Sequence, residues 1–241
     1  MTTNLIVHGD CRNGRQAGEP FYGRKIDLLL TDPPYGVDVK MNSAESPEQK
    51  AVNERIDGDL TFEDAWDIFE GMMTVFGPLF AEHADAYIFT SWHVLGRWDG
   101  KLRDLMGVYG FRPMGIGVWD RGYPGKGDLA GAWGMGFDYI FYYKKGRRLL
   151  NGKRRNLLFD VDKELSGENI HPTQKPVALL EPMITASTDP GDFVLDPFGG
   201  SGAVSVAAQG CGRDSLAFET DERFIAPSRA RLEQMGLGLE F

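Results

Sequence analysis

Residues 28–36 of the chain read Leu28-Leu29-Leu30-Thr31-Asp32-Pro33-Pro34-Tyr35-Gly36, an apolar strand that ends in an acid, two prolines and an aromatic ring. Proline fixes φ and lacks the N–H that a sheet ladder needs, so the chain must leave the sheet after Thr31 in a preset shape. One carboxylate (Asp32), a proline carbonyl (Pro33), a second proline (Pro34) and a ring (Tyr35) then stand at the carboxyl end of a strand. That is where open α/β sheets bind ligands. A bare Asp-Pro-Pro is also explained by a strand-ending turn with a polar cap. The ring at Tyr35 and a second site farther along favour a binding function.

Six other short runs read as buried strands, at residues 4–8, 84–90, 115–119, 137–143, 193–196 and 215–219. Between them lie stretches with helical spacing. Phe62, Trp66, Phe69, Met73, Phe76 and Phe80 recur at steps of three and four, as do Val177, Leu179, Leu180, Met183 and Ile184; both stripes read as core. A third helix is expected from Ser201 through Val204, Val206 and Ala207, stopped by Gly210. Strands alternating with helices predict an α/β fold, a parallel sheet covered on both faces.

Two stretches fit neither pattern. Residues 37–60 are polar and aperiodic, and are expected to form a long mobile loop after the tetrapeptide; residues 144–170 are basic and then mixed, and loops this long in a compact domain usually serve a function or are disordered. The 241 residues suffice for one compact domain. Two cysteines, Cys11 and Cys211, are too few for a disulfide framework or a four-cysteine zinc site, and read as reduced structural thiols. No metal site is expected. Without an apolar run long enough to span a bilayer or an export signal at its start, the chain reads as cytoplasmic, with no membrane partner.

The formal net charge of −9 speaks against a polyanionic partner, but the average conceals a cluster. Lys144, Lys145, Arg147, Arg148, Lys153, Arg154 and Arg155 supply seven of the 26 bases within twelve residues that hold no acid. Such a run suits DNA phosphates, which position a protein without reporting sequence. It is equally consistent with a solvated tail on an aromatic strand.

The second site is Val194-Leu195-Asp196-Pro197-Phe198-Gly199-Gly200-Ser201-Gly202, a strand leading through a glycine-rich turn into a helix. Glycine lets backbone approach a ligand closely, and a helix amino terminus attracts negative groups. The following strand ends in Glu219, the placement expected of an acid that holds ribose hydroxyls. Neither GxGxxG nor the P-loop GKS/GKT is present, which argues against NAD and ATP.

Three motifs in order, DPPY at 32–35, HPTQKP at 171–176 and DPFGGSG at 196–202, resemble the β group of DNA amino-methyltransferases. The resemblance spans nearly the whole chain. It implies a Rossmann-like methyltransferase fold of seven strands, mostly parallel with one antiparallel, circularly permuted so that the catalytic half precedes the cofactor half. It implies S-adenosylmethionine as cofactor and DNA as substrate, with residues 144–170 as a candidate DNA-contact or target-recognition insertion and a homodimer and a restriction endonuclease counterpart as further partners. Asp32, Pro33, Pro34 and Tyr35 would form the target-base site, Asp32 also bordering the cofactor. Asp196, Phe198, Gly199, Gly200, Ser201 and Gly202 would line the cofactor site, and Glu219 would take the ribose. Asp10 and Cys11 match the family's amino-terminal element near the cofactor adenine, and Thr173 and Lys175 the segment near its methionine part. HPTQKP also reads as a helix start, with Thr173 capping and Pro176 in the first turn.

The chemistry suits these residue types. An exocyclic amine is a poor nucleophile because its lone pair is delocalised into the ring. Asp32 and the Pro33 carbonyl can accept its two protons in hydrogen bonds and stabilise the charge that develops on nitrogen. The base must first leave the duplex stack, and Tyr35 can then stack on it. Aspartate in DPPY points to adenine N6, since cytosine-N4 members tend to carry serine there. Asp138 stands where the family commonly has glutamate, and residues 121–136, with Tyr123, Lys126 and Trp133, read as a further loop beside the target base. The alternatives are a cytosine-N4 enzyme, an amino-methyltransferase acting on RNA or protein, and a catalytically inactive DNA-binding module. RNA and protein relatives favour DPPW or NPPY, and an inactive module would have lost DPPY or the cofactor glycines.

Overall fold

A computed structural model describes residues 2–16, 23–36, 60–124, 130–162 and 174–236. Most of the expected 37–60 loop, the 163–170 end of the basic insertion, Lys126 and Thr173 lie outside the described residues. Among the described residues eight strands and five α-helices follow in the order β1 (Asn4–His8), β2 (Ile26–Thr31), α1 (Phe62–Phe76), β3 (Phe80–Thr90), α2 (Leu95–Val108), β4 (Phe111–Asp120), β5 (Phe137–Lys145), β6 (Leu158–Asp160), α3 (Val177–Ser187), β7 (Phe193–Asp196), α4 (Ala203–Gly210), β8 (Asp214–Glu219) and α5 (Glu222–Gly236). The strands form one sheet in the order β1-β8-β7-β2-β3-β5-β4-β6. Strand β5 runs antiparallel to both neighbours, and every other pairing is parallel.

All seven expected strands are present. The three-residue β6 adds an eighth at the edge beside β4, too short to stand out as an apolar run. Strand β3 begins at Phe80, four residues before the expected start, so the aromatic stripe is divided. Gly77-Pro78-Leu79 forms a 3-10 turn that ends α1 and delivers Phe80 to the sheet. Helix α1 starts at a capping box, in which the Thr61 hydroxyl accepts from the Asp64 N–H and the Asp64 carboxylate accepts from the Thr61 N–H. Helices α4 and α3 begin at Ala203 and Val177, each slightly later than expected, with Pro176 before the first turn. Helices α2 and α5 were not among those the periodicity singled out.

The strand period of two separates the core into two layers. Leu29, Phe141, Tyr143 and Leu195 face α1 and α2, whose Phe62, Phe69, Met73, Trp98 and Leu102 pack on them. Their neighbours Leu28, Leu30, Ile140, Tyr142 and Val194 face α3 and α4, and α5 closes the β1 end through Ile225 and Leu232. Both sheet faces are thus covered, which explains why the central strands are apolar throughout. From β2 the chain moves outward through α1 to β3, whereas from β7 it moves the other way through α4 to β8. The boundary between β2 and β7 is therefore the topological switch point, where the carboxyl ends of adjacent strands diverge and leave a crevice.

Candidate active site

The two motif strands lie side by side, with Leu28 opposite Val194 and Leu29 opposite Leu195. Their ends are joined by a buried hydrogen bond in which the Thr31 hydroxyl donates to Asp196 Oδ1 at 2.9 Å. The Phe198 N–H donates to the same oxygen at 3.2 Å. Asp196 is 3% exposed, and burial pushes its carboxyl up to about 7 against the pull of these two donors. Oδ1 of Asp196 is thereby taken up within the protein. It fixes the first turn of the glycine segment against the end of β2.

Beyond Thr31 the tetrapeptide is held from three sides. Pro33 is buried, while Asp32, Pro34 and Tyr35 keep intermediate exposure. The Trp98 indole N–H, from the core of α2, donates to the Tyr35 carbonyl at 3.2 Å. The Tyr35 hydroxyl donates to Asp32 Oδ1. The Lys175 ammonium, entering from the α3 side, donates to Asp32 Oδ2. Lys175 is 8% exposed, and its Nζ lies over the rings of Phe89, 5.0 Å from the centroid, and Trp119, at 5.9 Å. One carboxylate and two ring faces thus surround one cation, an arrangement favoured when desolvated. Lys175, which the resemblance places near the methionine part of the cofactor, holds its ammonium against Asp32. Phe89 and Trp119 escaped sequence reading because only the order β2-β3-β5-β4 brings their strand ends to one place.

The glycine segment Phe198–Gly202 forms the facing wall. The Gly199 N–H donates to the Phe218 carbonyl on β8, and a Cβ on Gly199 would stand 3.1 Å from both that oxygen and Ala217 Cβ. Gly202 has φ of +71°, a left-handed conformation that lets the chain turn into α4. Ser201 is buried at 4% exposure. Glu219 ends β8 with its two oxygens accepting from the Gly200 N–H at 2.8 Å and the Asp221 N–H at 2.7 Å. Burial raises its pKa against these donors. Each oxygen keeps a further lone pair for a hydroxyl, and a side chain at Gly199 would crowd Ala217 and the Phe218 carbonyl. These residues fit a nucleoside that presents its ribose to Glu219 and its neighbouring chain to the glycine backbone.

The amino-terminal element completes this wall, because His8 pairs with Glu219 and the Gly9 N–H donates to the Glu219 carbonyl at 2.9 Å. Asp10 is bound by Arg12, whose guanidinium holds its carboxyl below the usual range. The Cys11 side chain belongs to the core, 3% exposed, and burial pushes its thiol up to about 12. Both cysteines are free.

The basic run is not one surface. Because β5 is antiparallel, its carboxyl end carries Lys144 and Lys145 to the level of Asp85 and Ala84, at the amino ends of the parallel strands. That is roughly 15 Å along the sheet from Asp32 at 3.3 Å per residue. Lys144 is buried there in an ion pair with the fully buried Asp85, Nζ to Oδ1 3.3 Å. Asp85 Oδ2 also accepts from Tyr142 and Ser187. Arg148 pairs with Asp189 and Asp192 at 2.8 and 2.9 Å. Lys145 Nζ donates to the Phe80 carbonyl, and burial lowers its pKa. Lys144 and Arg148 thus serve the fold, which corrects their expected role at phosphates. Arg147, Lys153, Arg154 and Arg155 are exposed. The last three lie where the chain climbs back toward β6, which runs beside Val118–Asp120 at the carboxyl end of β4.

Among the described residues no helix is long and apolar enough to cross a membrane, and no cluster of His, Cys, Asp and Glu could hold a metal ion.

Comparison with known proteins agrees with this geometry. YubD, an inferred methylase of Escherichia coli (strain K12), is 30% identical over 228 residues, which cover 94% of this chain and 89% of YubD. The crystal structure of the M1.HpyAVI-SAM complex superposes with a TM-score of 0.71 at 22% identity, over 96% of this chain and 99% of that one. The PvuII DNA methyltransferase, cytosine-N4-specific, also gives 0.71, at 18% identity over 96% and 87% of the two chains. Both superpositions establish a methyltransferase fold. The DNA methylase profile for N6/N4 enzymes matches residues 117–229, from β4 into α5. On its sequence, its fold and the pairing of its two motif strands, the chain belongs to the N6/N4 family of DNA methylases.

Proposed function

We propose that this DNA amino-methyltransferase transfers the methyl group of S-adenosylmethionine to the N6 amine of adenine, with Asp32, Pro33, Pro34 and Tyr35 forming the target site. The observation that carries the reading is the Thr31–Asp196 hydrogen bond, which couples the DPPY strand end directly to the glycine turn. Asp10, the Cys11 backbone, Phe198, Gly199, Gly200, Ser201, Gly202 and Glu219 would hold the cofactor. When bound, the cofactor supplies a methyl activated on a sulfonium. Asp32 and the Pro33 carbonyl would accept hydrogen bonds from the two amine protons, directing the nitrogen lone pair out of the ring plane and toward that methyl. Asp32 is then the nearest acceptor for the proton the nitrogen must lose. Tyr35 stacks on the base from a backbone held by Trp98. Lys175 orients Asp32 through its ion pair.

Aspartate at position 32 supports adenine. The cytosine-N4 reading keeps the same scheme, and likeness to the PvuII enzyme favours it. Unmethylated genomic DNA, RNA and protein extract incubated with methyl-labelled cofactor test the proposal, with the DNA digested to nucleosides. N6-methyladenine is expected; label in N4-methylcytosine, or confined to RNA or protein, would refute it.

Phosphate contact is proposed for the exposed Lys153, Arg154 and Arg155, on the segment that returns toward the carboxyl ends of the strands.

A further inference from the structure

The loop joining β4 to β5 presents an indole to solvent on a stiff support. Trp133 is 96% exposed, although tryptophan ordinarily buries most of its surface. The two ends of the loop are closed against each other. The Arg121 N–H donates to the Gly136 carbonyl at 2.9 Å, its guanidinium donates to the Met135 carbonyl at 2.6 Å, and it faces Asp138 at 3.8 Å. A Cβ on Gly134 would lie 2.2 Å from Pro124 Cβ, and one on Gly136 2.1 Å from the Tyr123 carbonyl oxygen. Glycine at both positions is what lets the two sides meet. Trp133 adjoins this closed neck, so its exposure follows from how it is mounted.

The mount stands over the catalytic end of the sheet. Thr31 is opposite Ile88, and Ile88 is opposite Phe141. From Phe141 to Phe137, where β5 meets Asp120 of β4, the stem rises four residues past the level of Thr31. At 3.3 Å per residue this is roughly 13 Å, and β5 is displaced from β2 by two strand spacings, roughly 10 Å. The stem thus stands close enough to meet a duplex that delivers one base to Asp32. Enzymes that extrude a base leave a gap in the stack, and apolar side chains inserted between base steps hold such deformations open.

We propose that Trp133 enters the duplex at the position vacated by the target base and stacks on its neighbours there. The proposal rests on the DNA-methylating reading above and adds to it a residue that touches the duplex without touching the reacting amine. Trp133 would lower the cost of extrusion and would be dispensable where no stack has to be opened.

The test compares wild type, Trp133→Ala and Trp133→Phe on native and on heat-denatured unmethylated genomic DNA. Leu149→Ala serves as control, since Leu149 is 75% exposed beyond the far end of β5. With Trp133→Ala, kcat/KM on duplex should fall about 10- to 100-fold, the range for loss of one stacked ring. On single strands it should change less than about twofold, Trp133→Phe should recover most duplex activity, and melting temperatures should coincide. Equal loss on both substrates, or no loss on duplex, overturns the wedge while leaving the methylation reading intact. A wild type inert on both forms of DNA overturns the reading and the wedge together. Indole emission gives a second readout that holds even if single strands are poor substrates. Adding duplex should quench wild type more than Trp133→Phe, and identical quenching refutes insertion.

Discussion

Asp32→Asn separates the two strand ends chemically while leaving their shape nearly unchanged. The amide keeps one acceptor oxygen for the Tyr35 hydroxyl and presents an NH2 group toward Lys175, where the carboxylate now accepts from the ammonium. An amine donating a hydrogen bond to this side chain would meet a donor in place of an acceptor. Removing one such pre-aligned partner of a developing charge typically slows chemistry about 10²- to 10³-fold, or about 2.7–4 kcal/mol. Cofactor affinity should change by less than about fivefold, or about 1 kcal/mol, because Glu219 and the glycine turn are held by β7 and β8 through bonds that do not involve Asp32. The assay is single-turnover transfer of labelled methyl to DNA, beside calorimetric titration of the cofactor. Loss of cofactor binding in parallel with transfer would refute the division of labour between the strand ends. A transfer rate within tenfold of wild type would refute the role of Asp32.

Three further predictions concern the scaffold of the site. Thr31→Val removes a donor to Asp196; because the folded carboxyl titrates near 7, above its unfolded value near 4, stability falls in wild type as pH rises from about 4 to 7. The variant should lose about 1.5–3 kcal/mol at pH 8, where the acceptor is charged, and about 0.5–1.5 kcal/mol at pH 5, where it is neutral. At 2–4 °C per kcal/mol, melting curves at both pH values resolve the difference, and a larger drop at pH 5 would contradict the assignment. Lys144→Met should cost about 3 kcal/mol by leaving Asp85 without its cation, yet leave the salt dependence of DNA binding unchanged, whereas Arg154→Glu with Arg155→Glu should flatten that dependence at little cost in stability. Gly202→Ala should lower cofactor affinity and melting temperature together, since its φ of +71° disfavours any side chain and a Cβ would stand 2.8 Å from Ile6 Cδ1; a fully stable, tightly binding variant would refute the tight-turn argument.

Features that depend only on the local chain were legible along the residues themselves. Two prolines force an exit after Thr31, glycines at 199, 200 and 202 permit a turn into a helix, and alternating apolar runs specify seven strands of a two-layered α/β core. These are short-range constraints on φ, ψ and side-chain period, and they hold wherever the strands end up. Whatever depends on strand order and direction became legible only in the folded sheet. Only the β2–β7 pairing lets Thr31 reach Asp196, and only the order β2-β3-β5-β4 gathers Phe89 and Trp119 around Lys175. Strand β5 looks the same in sequence whichever way it runs. Its antiparallel course sends Lys144 to a buried acid at the far end of the sheet, and lifts the stem that bears Trp133 above the catalytic end. Charge counted along the chain is blind to that direction, because neighbours in sequence become neighbours of different surfaces once backbone pairing sets which end of a strand faces the site.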